Sequence, residues 1–456
     1  MPNLRKPLCA ALAAATVLPL TGCDGSPAPA SQPELLERPP NVLLIVTDDQ
    51  RASGSMHALP TVLRVFKRGG RTYTNAFATT PLCCPSRASI VTGRYAHNHG
   101  VHTNADGMGL DHSGTIQRHL QEGGYRTALV GKYLNRWDPR VDPPHFDRFA
   151  LWLRGIYRHS SFRVNGDVRR PSGYTTRLMT RFATRFLRGF ESRDDDPWFL
   201  WLAPNAPHSP FSAEERYEGA DTEGWDGNGA TRDKAVSDEP DFIERSQNSV
   251  TRARQVRRKQ LRTLYSVDDQ VARVFEVLEE LDEERDTLAI FMSDNGFLWG
   301  EHGIVGKRYA YTQSIQIPLL LRWPGEVEPG AIDERLVANL DVAPTILEAA
   351  GLGSGGELDG TSLLAARSRE RLLIEQWGDE ETHVPTMASL RTDSYQYVEY
   401  YGRGGRVVAR QYYDLRADPW QRRNLLGDND PTNDPEIRPL SRRLRADRAC
   451  SGAACP

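Results

Sequence analysis

Two adjacent cysteines open the stretch of this chain with the most readable chemistry, Cys83-Cys84-Pro85-Ser86-Arg87, followed by Thr92-Gly93-Arg94. Pro85 suits the first turn of a helix, where its missing N–H costs nothing. Ser89 to Val91 can extend that helix until Gly93 stops it. The spacing predicts that residue 83 lies just ahead of a helix N-terminus, where free N–H groups and the positive end of the dipole favour an anion. Arg87, one turn in, is expected to fold back onto the side chain at position 83. The blander alternative is a buried structural cysteine pair. Hard oxygen donors come in two further clusters, Asp48-Asp49 and Asp294-Asn295-Gly296. Each alone is ordinary turn chemistry, but four such donors from two loops suit Ca²⁺ or Mg²⁺ rather than zinc. Neighbours on a strand point to opposite faces, so Asp48 and Asp49 can share one ion only where the strand has given way to loop.

These groups need a scaffold. Asn41 to Thr47 (NVLLIVT) is a continuous apolar, β-branched run, as in a strand buried on both faces. Similar runs recur at Thr127–Val130, Trp198–Leu202, Leu288–Met292 and Ile317–Leu321, with helical patterns between them, notably Arg252–Leu281. Strands alternating with helices predict an α/β domain with a largely parallel or mixed sheet. Polar clusters follow the runs at Asp48-Asp49, Gly131-Lys132, Asn205–His208 and Asp294-Asn295. Ligands of open α/β sheets gather at the carboxyl edge. Gly219–Asp241 lacks apolar periodicity and reads as a mobile surface loop. Past about residue 365, Leu372–Gln376, Tyr395–Tyr400 and Val407–Tyr412 look like antiparallel strands, and a charged helix closes the chain. The basic run Arg252, Arg254, Arg257, Arg258, Lys259 and Arg262 reads as a solvated helix face, with glycan contact as the alternative.

The Cys-x-Pro-Ser-Arg pattern, with Cys83 first and Cys84 as x, resembles the signature of the type I sulfatases. With Gly93 six residues after Arg87, the five fixed positions arise by chance at roughly 10⁻⁴ in a chain this long. The resemblance covers residues 41 to 430 and implies an alkaline-phosphatase-like large mixed sheet flanked by helices, with a smaller C-terminal α+β domain. It implies that a formylglycine-generating maturase oxidises Cys83 to formylglycine (3-oxoalanine). It implies a metal set of Asp48, Asp49, Cys83, Asp294 and Asn295 around Ca²⁺, with Mg²⁺ as the alternative. Lys132 in Gly131-Lys132-Tyr133-Leu134-Asn135 and Lys307 in Gly306-Lys307 resemble the family's sulfate-binding lysines. His208 in Asn205-Ala206-Pro207-His208-Ser209-Pro210 resembles the histidine that contacts sulfate and protonates the leaving group. The resemblance implies that Arg87 helps to neutralise the sulfonyl oxygens.

The chain departs from the pattern at one point. Many sulfatases read Gly-Lys-Trp-His where it reads Gly-Lys-Tyr-Leu, so Leu134 replaces a second histidine. His97, His99 and His302 are the candidates for that acid/base role. The GKYLN form, and Thr92-Gly93-Arg94-Tyr95-Ala96-His97-Asn98-His99 after the cysteines, resemble the branch of N-acetylglucosamine-6-sulfatases and glucosamine endosulfatases. The implied substrate is a sulfated small molecule or glycan of glucosamine-6-sulfate type. A phosphodiester or phosphonate monoester hydrolase of the same superfamily is the nearest rival, and a non-catalytic lipoprotein that binds sulfated glycans is another.

The ends complete the picture. Arg5 and Lys6 precede an apolar run, Leu8 to Leu20, too short to span a membrane but right for a signal peptide. It closes on Leu20-Thr21-Gly22-Cys23, which resembles a bacterial lipobox, so Cys23 is the expected lipidation site and Cys9 leaves with the signal. The expected organisation is a signal at 1–23, a flexible tether at 24–40, a catalytic domain at 41–364, a C-terminal subdomain at 365–445 and a tail at 446–456. The expected product is an exported lipoprotein anchored on the outer side of the cytoplasmic membrane. Cys450 and Cys455 are then a plausible disulfide, in a tail that looks frayed. The chain's 456 residues and 39% apolar content allow a large core. A net charge near −3 argues against a nucleic-acid partner, which calls for a broad basic excess.

Overall fold

The computed structural model describes residues 38–153, 157–192, 196–232, 238–244, 248–354, 356–378 and 384–456. The signal, Cys23 and residues 24–37 of the tether lie outside them. Among the described residues no helix is long and apolar enough to cross a membrane.

The apolar runs become the middle of a ten-stranded sheet. From edge to edge its strands are Ala331–Asp333, Arg71–Tyr73, Leu319–Arg322, Thr287–Ser293, Asn41–Thr47, Trp198–Ala203, Arg126–Gly131, Arg148–Trp152, Phe162–Val164 and Asp167–Arg169. The five strands from Thr287–Ser293 to Arg148–Trp152 run parallel to one another. Leu319–Arg322 pairs antiparallel to Thr287–Ser293. That reversal explains why no polar cluster follows this strand: its carboxyl end points to the opposite edge.

Because side chains alternate along a strand, one apolar run feeds two cores. Val42, Leu44 and Val46 pack with Ala88 and Val91 of the helix Cys83–Thr92 and with Ile346 of Val342–Ala349. Leu43 and Ile45 pack on the other face with Leu178 and Phe182 of Thr175–Glu191 and with Leu264 and Val271 of Val250–Glu280. The latter helix starts two residues earlier than its apolar pattern, because the Ser249 side chain caps it by accepting from Arg252 N–H at 3.2 Å.

The C-terminal region is a four-stranded antiparallel sheet, Leu372–Gln376, Thr386–Arg391, Tyr395–Tyr401 and Val407–Asp414, with the helix Ile437–Asp447. Two expectations are corrected here. Gly219–Asp241, expected to be a mobile surface loop, is tied to its surroundings at several of its described residues. Arg257 donates to the carbonyls of Thr222 and Glu223 at 3.2 and 3.1 Å, Arg262 to that of Ala220 at 2.9 Å, and Asn228 to Glu301 at 2.7 Å. Arg257 and Arg262 of the basic run are therefore spent on this loop, while Arg252, Arg258 and Lys259 are exposed. Nor is the tail frayed. Cys450 and Cys455 form a disulfide whose loop docks on the segment after the Cys83 helix: His97 Nε2 and Asn98 Nδ2 both lie 3.0 Å from Cys450 O.

Candidate active site

Strand register assembles the site. Thr47 pairs with Ser293, so Asp48-Asp49 and Asp294-Asn295 leave the sheet side by side, and Asp294 N–H donates to Thr47 O at 3.1 Å. On the other flank Ile45 pairs with Leu202, and Ala203 with Gly131. Asn205–His208 and Lys132 therefore reach the same edge, where Asp48 N–H donates to Ala206 O at 3.1 Å. A Cβ on Gly131, at φ 112°, would come within 2.1 Å of Ala203 O, so the approach of these two strand ends demands glycine.

Asp49 sits at φ 70°, which ends the strand and turns both carboxylates to one side. Cys83 Sγ lies 3.3 Å from Asp48 Oδ1 and 3.9 Å from Asp49 Oδ1. Leu82 takes the cap, so Cys83 is the first residue of its helix rather than the residue ahead of it. Pro85 tolerates the third position equally well, since the first four N–H groups have no intrahelical partner to lose. The Cys84 N–H is taken by Asn104 Oδ1 at 3.0 Å.

Arg87 makes its described hydrogen bonds to groups other than Cys83. Fully buried, it donates from Nε to Asp294 Oδ2 at 2.8 Å and from Nη1 to Lys132 O at 2.9 Å. The guanidinium fork meets a buried carboxylate that would otherwise be dehydrated without a counter-charge. Its Nη2 is 4.0 Å from Asp48 Oδ2 and hydrogen-bonded to nothing among the described residues.

Lys132 Nζ donates to Asp48 Oδ2 at 2.6 Å. Lys307 Nζ reaches Asp49 Oδ1, and lies 2.7 Å from Cys83 Sγ. Three buried carboxylates (Asp48, Asp49, Asp294) thus face three cations (Lys132, Lys307, Arg87) around one sulfur. Burial raises the Asp48 carboxyl, but Lys132, His208, Arg87 and Lys307 outweigh it and hold the group well below the usual carboxylate range. Burial lowers the Lys307 ammonium, yet Asp49, Cys83 and Asp48 drive it upward. Burial and then Asp48 push the Cys83 thiol far up, against Lys132 and Lys307. Left as cysteine, it stays a thiol and a poor nucleophile.

His208 stands at the mouth, its side chain 34% exposed, with Nε2 3.8 Å from Asp49 Oδ2. Its Nδ1 lies 2.9 Å from Ser209 O. A carbonyl only accepts, so Nδ1 carries the hydrogen and Nε2 is left facing the site. Asp48, Asp49, Cys83 and His208 each offer a ligand atom within 4.8 Å of the others. Asn295 Nδ2 donates to Asp49 Oδ1 at 2.8 Å. This donor set, dominated by carboxylate oxygen, fits a hard divalent cation.

The other histidines are elsewhere. His97 Nδ1 is 2.8 Å from Glu375 Oε2 on the C-terminal sheet. His99 is buried against Ser89 Oγ at 3.1 Å. His302 stacks on Tyr311 with centroids 3.6 Å apart. None of the contacts described for these three reaches Cys83. Sequence reasoning missed the supports. Ser86 Oγ donates to Asp294 O and accepts from Asn339 Nδ2 at 2.9 Å. Tyr157 OH donates to His208 O at 2.6 Å, and Gln260 Nε2 to Pro207 O at 3.3 Å. Ser86 lies inside the motif, but the others have no local signal, because their partners are distant in the chain.

Comparison with known proteins decides the family. The family model described as Sulfatase matches residues 40–352. The chain belongs to the sulfatase family. A second model, described as N-sulphoglucosamine sulphohydrolase, C-terminal, matches residues 300–449. An extracellular sulfatase homologue from Drosophila melanogaster is 31% identical over 75% of this chain, which spans 33% of that relative's length. Human N-acetylglucosamine-6-sulfatase is 30% identical over 92% of this chain and 86% of its own. A solved structure of a protein in complex with its substrate D-glucosamine-2-N,6-O-disulfate superposes with a TM-score of 0.78. It is 23% identical and covers 90% of this chain and 96% of that one. The ten-stranded sheet with its small antiparallel partner is the fold shared with that structure, and enzymes of this family use a metal and formylglycine.

Proposed function

We propose that this chain hydrolyses the sulfate ester of a glucosamine-6-sulfate-like carbohydrate, with formylglycine made from Cys83 and a divalent cation, Ca²⁺ or Mg²⁺. The observation that carries the reading is the seat of Cys83: the first turn of a buried helix, between the Asp48 and Asp49 carboxylates and 2.7 Å from the Lys307 ammonium. An anion site beside a residue that is inert as a thiol is what a modified nucleophile needs.

Formylglycine, as its hydrate, supplies a hydroxyl that attacks sulfur and a second whose deprotonation expels sulfate. Asp48, Asp49, Asp294 and Asn295 would hold the cation, which would supply positive charge to the sulfate. The chain's own groups do the rest. Lys132 and Lys307 present fixed ammonium charge to the sulfate, which gains negative charge on its leaving oxygen in the transition state. Arg87 holds Asp294 in place and keeps a free N–H toward Asp48. His208, with Nε2 toward the site, protonates the departing alcohol.

The N-terminal segment supports export and a lipid on Cys23, with the catalytic domain at 41–364 and the smaller one at 365–445. A Cys23→Ala variant should then appear in the soluble rather than the membrane fraction. The test of function is turnover of N-acetylglucosamine-6-sulfate by protein co-produced with a formylglycine-generating maturase, with phosphate and phosphonate monoesters in parallel. Release of inorganic sulfate from the sugar supports the reading. Faster turnover of the phosphorus esters, or binding without turnover, contradicts it.

A further inference from the structure

A cavity of about 1120 Å³ lies against the His208 segment, walled by the helices Thr175–Glu191 and Val250–Glu280 and by residues 214–216. Its wall and that segment are tied together. Tyr157 OH donates to His208 O at 2.6 Å, Tyr174 OH to Ser212 O at 2.9 Å, and Arg158 Nη2 to Ala213 O at 3.4 Å. Tyr174 and Arg158 are themselves lining residues. Gln260, which donates to Pro207 O, shares its helix with the lining residues Ser266 and Arg273. At 1.5 Å per residue the cavity runs from about 9 to about 20 Å beyond Gln260 along that axis. A chain of a few sugars spans such a reach from the Cys83 site, and a single sugar does not.

The wall carries an excess of positive charge, five arginines against three carboxylates. Buried Glu214 is shared by Arg177 Nη1 at 3.0 Å and Arg216 Nε at 3.2 Å. Asp269 is taken by Arg216 Nη2 at 2.5 Å. Arg181 has no carboxylate partner among the described residues, and its Nη2 lies 3.5 Å from Ser172 O. Arg177, Arg181 and Arg185 follow one another at four-residue steps along one face of their helix. Like charges at that spacing repel, and positive charge near a helix N-terminus opposes the dipole. No acid on the helix relieves them: its first turn carries none, and its one acidic residue is Glu191 at the far end. The helix thus gives up stability to hold a row of guanidiniums that starts in the cavity wall, as expected where an anion binds. Gln270, also in the wall, donates from Nε2 to Thr176 O at 3.2 Å, which leaves its Oε1 unpartnered among the described residues. That oxygen accepts from a hydroxyl or an amide N–H. An acidic sugar offers both the anion and the donor.

We infer that this cavity is a second carbohydrate subsite, which takes an anionic group, sulfate or uronate carboxylate, of the same chain whose sulfate ester reaches Cys83. The inference rests on the sulfated-carbohydrate reading and extends the substrate from a monosaccharide to an anionic oligosaccharide. Arg177 and Arg181 supply the charge of the subsite, while Lys132 and Lys307 hold the ester that is cut, so the two functions separate by residue.

The experiment compares wild type with the double variant Arg177→Gln/Arg181→Gln, since glutamine keeps the helix while removing the charge. Arg442→Gln/Arg443→Gln, on the helix Ile437–Asp447, makes the same change in net charge away from the cavity. The substrates are N-acetylglucosamine-6-sulfate and a tetrasaccharide of alternating glucosamine-6-sulfate and uronic acid, and Kd for the tetrasaccharide is read in parallel. In the cavity variant, KM and Kd for the tetrasaccharide should rise about tenfold, with the monosaccharide KM within about twofold of wild type. The C-terminal variant should stay within about twofold on both substrates. With wild type, removing the flanking sulfate or reducing the carboxylates should reproduce the loss, and the change that does so names the anion. An unchanged tetrasaccharide KM and Kd in the cavity variant overturn the subsite while leaving the sulfatase reading intact. So does an equal loss in the C-terminal variant, a loss that extends to the monosaccharide, or a wild type indifferent to both chemical changes. Tetrasaccharide binding that depends on the two arginines, in a protein that releases no sulfate, supports the subsite and sinks the hydrolase reading.

Discussion

Arg87→Met tests whether the buried charge cluster is built as described. The substitution keeps volume and apolar character but removes the 2.8 Å bond to Asp294 Oδ2 and the 2.9 Å bond to Lys132 O. Asp294, fully buried and with its carboxyl already pushed up by burial and by Asp48, then loses its main counter-charge. Breaking one side of such a pair costs about 3–5 kcal/mol, mostly as the penalty on the abandoned charge. Unfolding entropy of about 2.1 cal/mol/K per residue over the roughly 420 residues from Arg38 to Pro456 gives about 0.9 kcal/mol/K. The variant should therefore melt about 3–6 °C below wild type. Differential scanning calorimetry in chelator measures the full gap. Excess Ca²⁺ should narrow it, because a cation held by Asp294 replaces part of the lost charge. A variant that melts within 1 °C of wild type in chelator, or a gap that Ca²⁺ leaves untouched, refutes the reasoning.

Three further outcomes follow from named contacts. His208→Asn should lower kcat by about 10²–10⁴-fold on a sugar sulfate, whose alkoxide leaves only with a proton. The loss should be much smaller on an aryl sulfate, and equal losses on both esters would remove His208 from the acid role. His97 sits between two acceptors, Glu375 Oε2 and Cys450 O, at 2.8 and 3.0 Å. Burial lowers its pKa, but the bond and charge of Glu375 outweigh it, so the folded value is raised. Its contribution to stability is complete below the ordinary value near ~6.5 and is lost as pH rises through the raised one. The Tm difference between wild type and His97→Gln should shrink across that interval, and a difference that grows with pH contradicts the assignment. Replacing Cys450 and Cys455 together with serine removes a short loop constraint of about 2 kcal/mol and should lower Tm by about 2 °C. An unchanged melting curve would show that the tail is seated by its hydrogen bonds, including those of Gly452 N–H to Asp359 and Tyr95 OH to Pro456 O, without the disulfide.

Much of this architecture is written locally. NVLLIVT and its four counterparts announce buried strands because a strand covered on both faces has no polar side to show. The residues just past the carboxyl ends of the four parallel runs are the site because parallel strands in register deliver their loops to one edge. What the chain does not show is pairing at long range. The reversed direction of Leu319–Arg322, the Asp294 partner of Arg87 and the Arg257 anchor of the Thr222–Glu223 turn each depend on residues brought together only by folding. Thr386–Arg391 escaped notice because TMASLR, although all but its first residue is buried, alternates small and polar types with no clear period. His97, His99 and His302 were equally eligible by composition. Only the geometry shows His97 bound to the C-terminal sheet and disulfide loop, His99 packed on Ser89 and His302 stacked on Tyr311.

The central claim is that Cys83 works as formylglycine rather than as cysteine. It is tested most directly by the mass of the tryptic peptide 72–87 from an active preparation, read together with turnover. The account predicts a peptide about 18 Da lighter than the cysteine form, from exchange of the thiol for an aldehyde, with activity proportional to the lighter fraction. A preparation that releases sulfate at full rate while the peptide keeps its cysteine mass contradicts it.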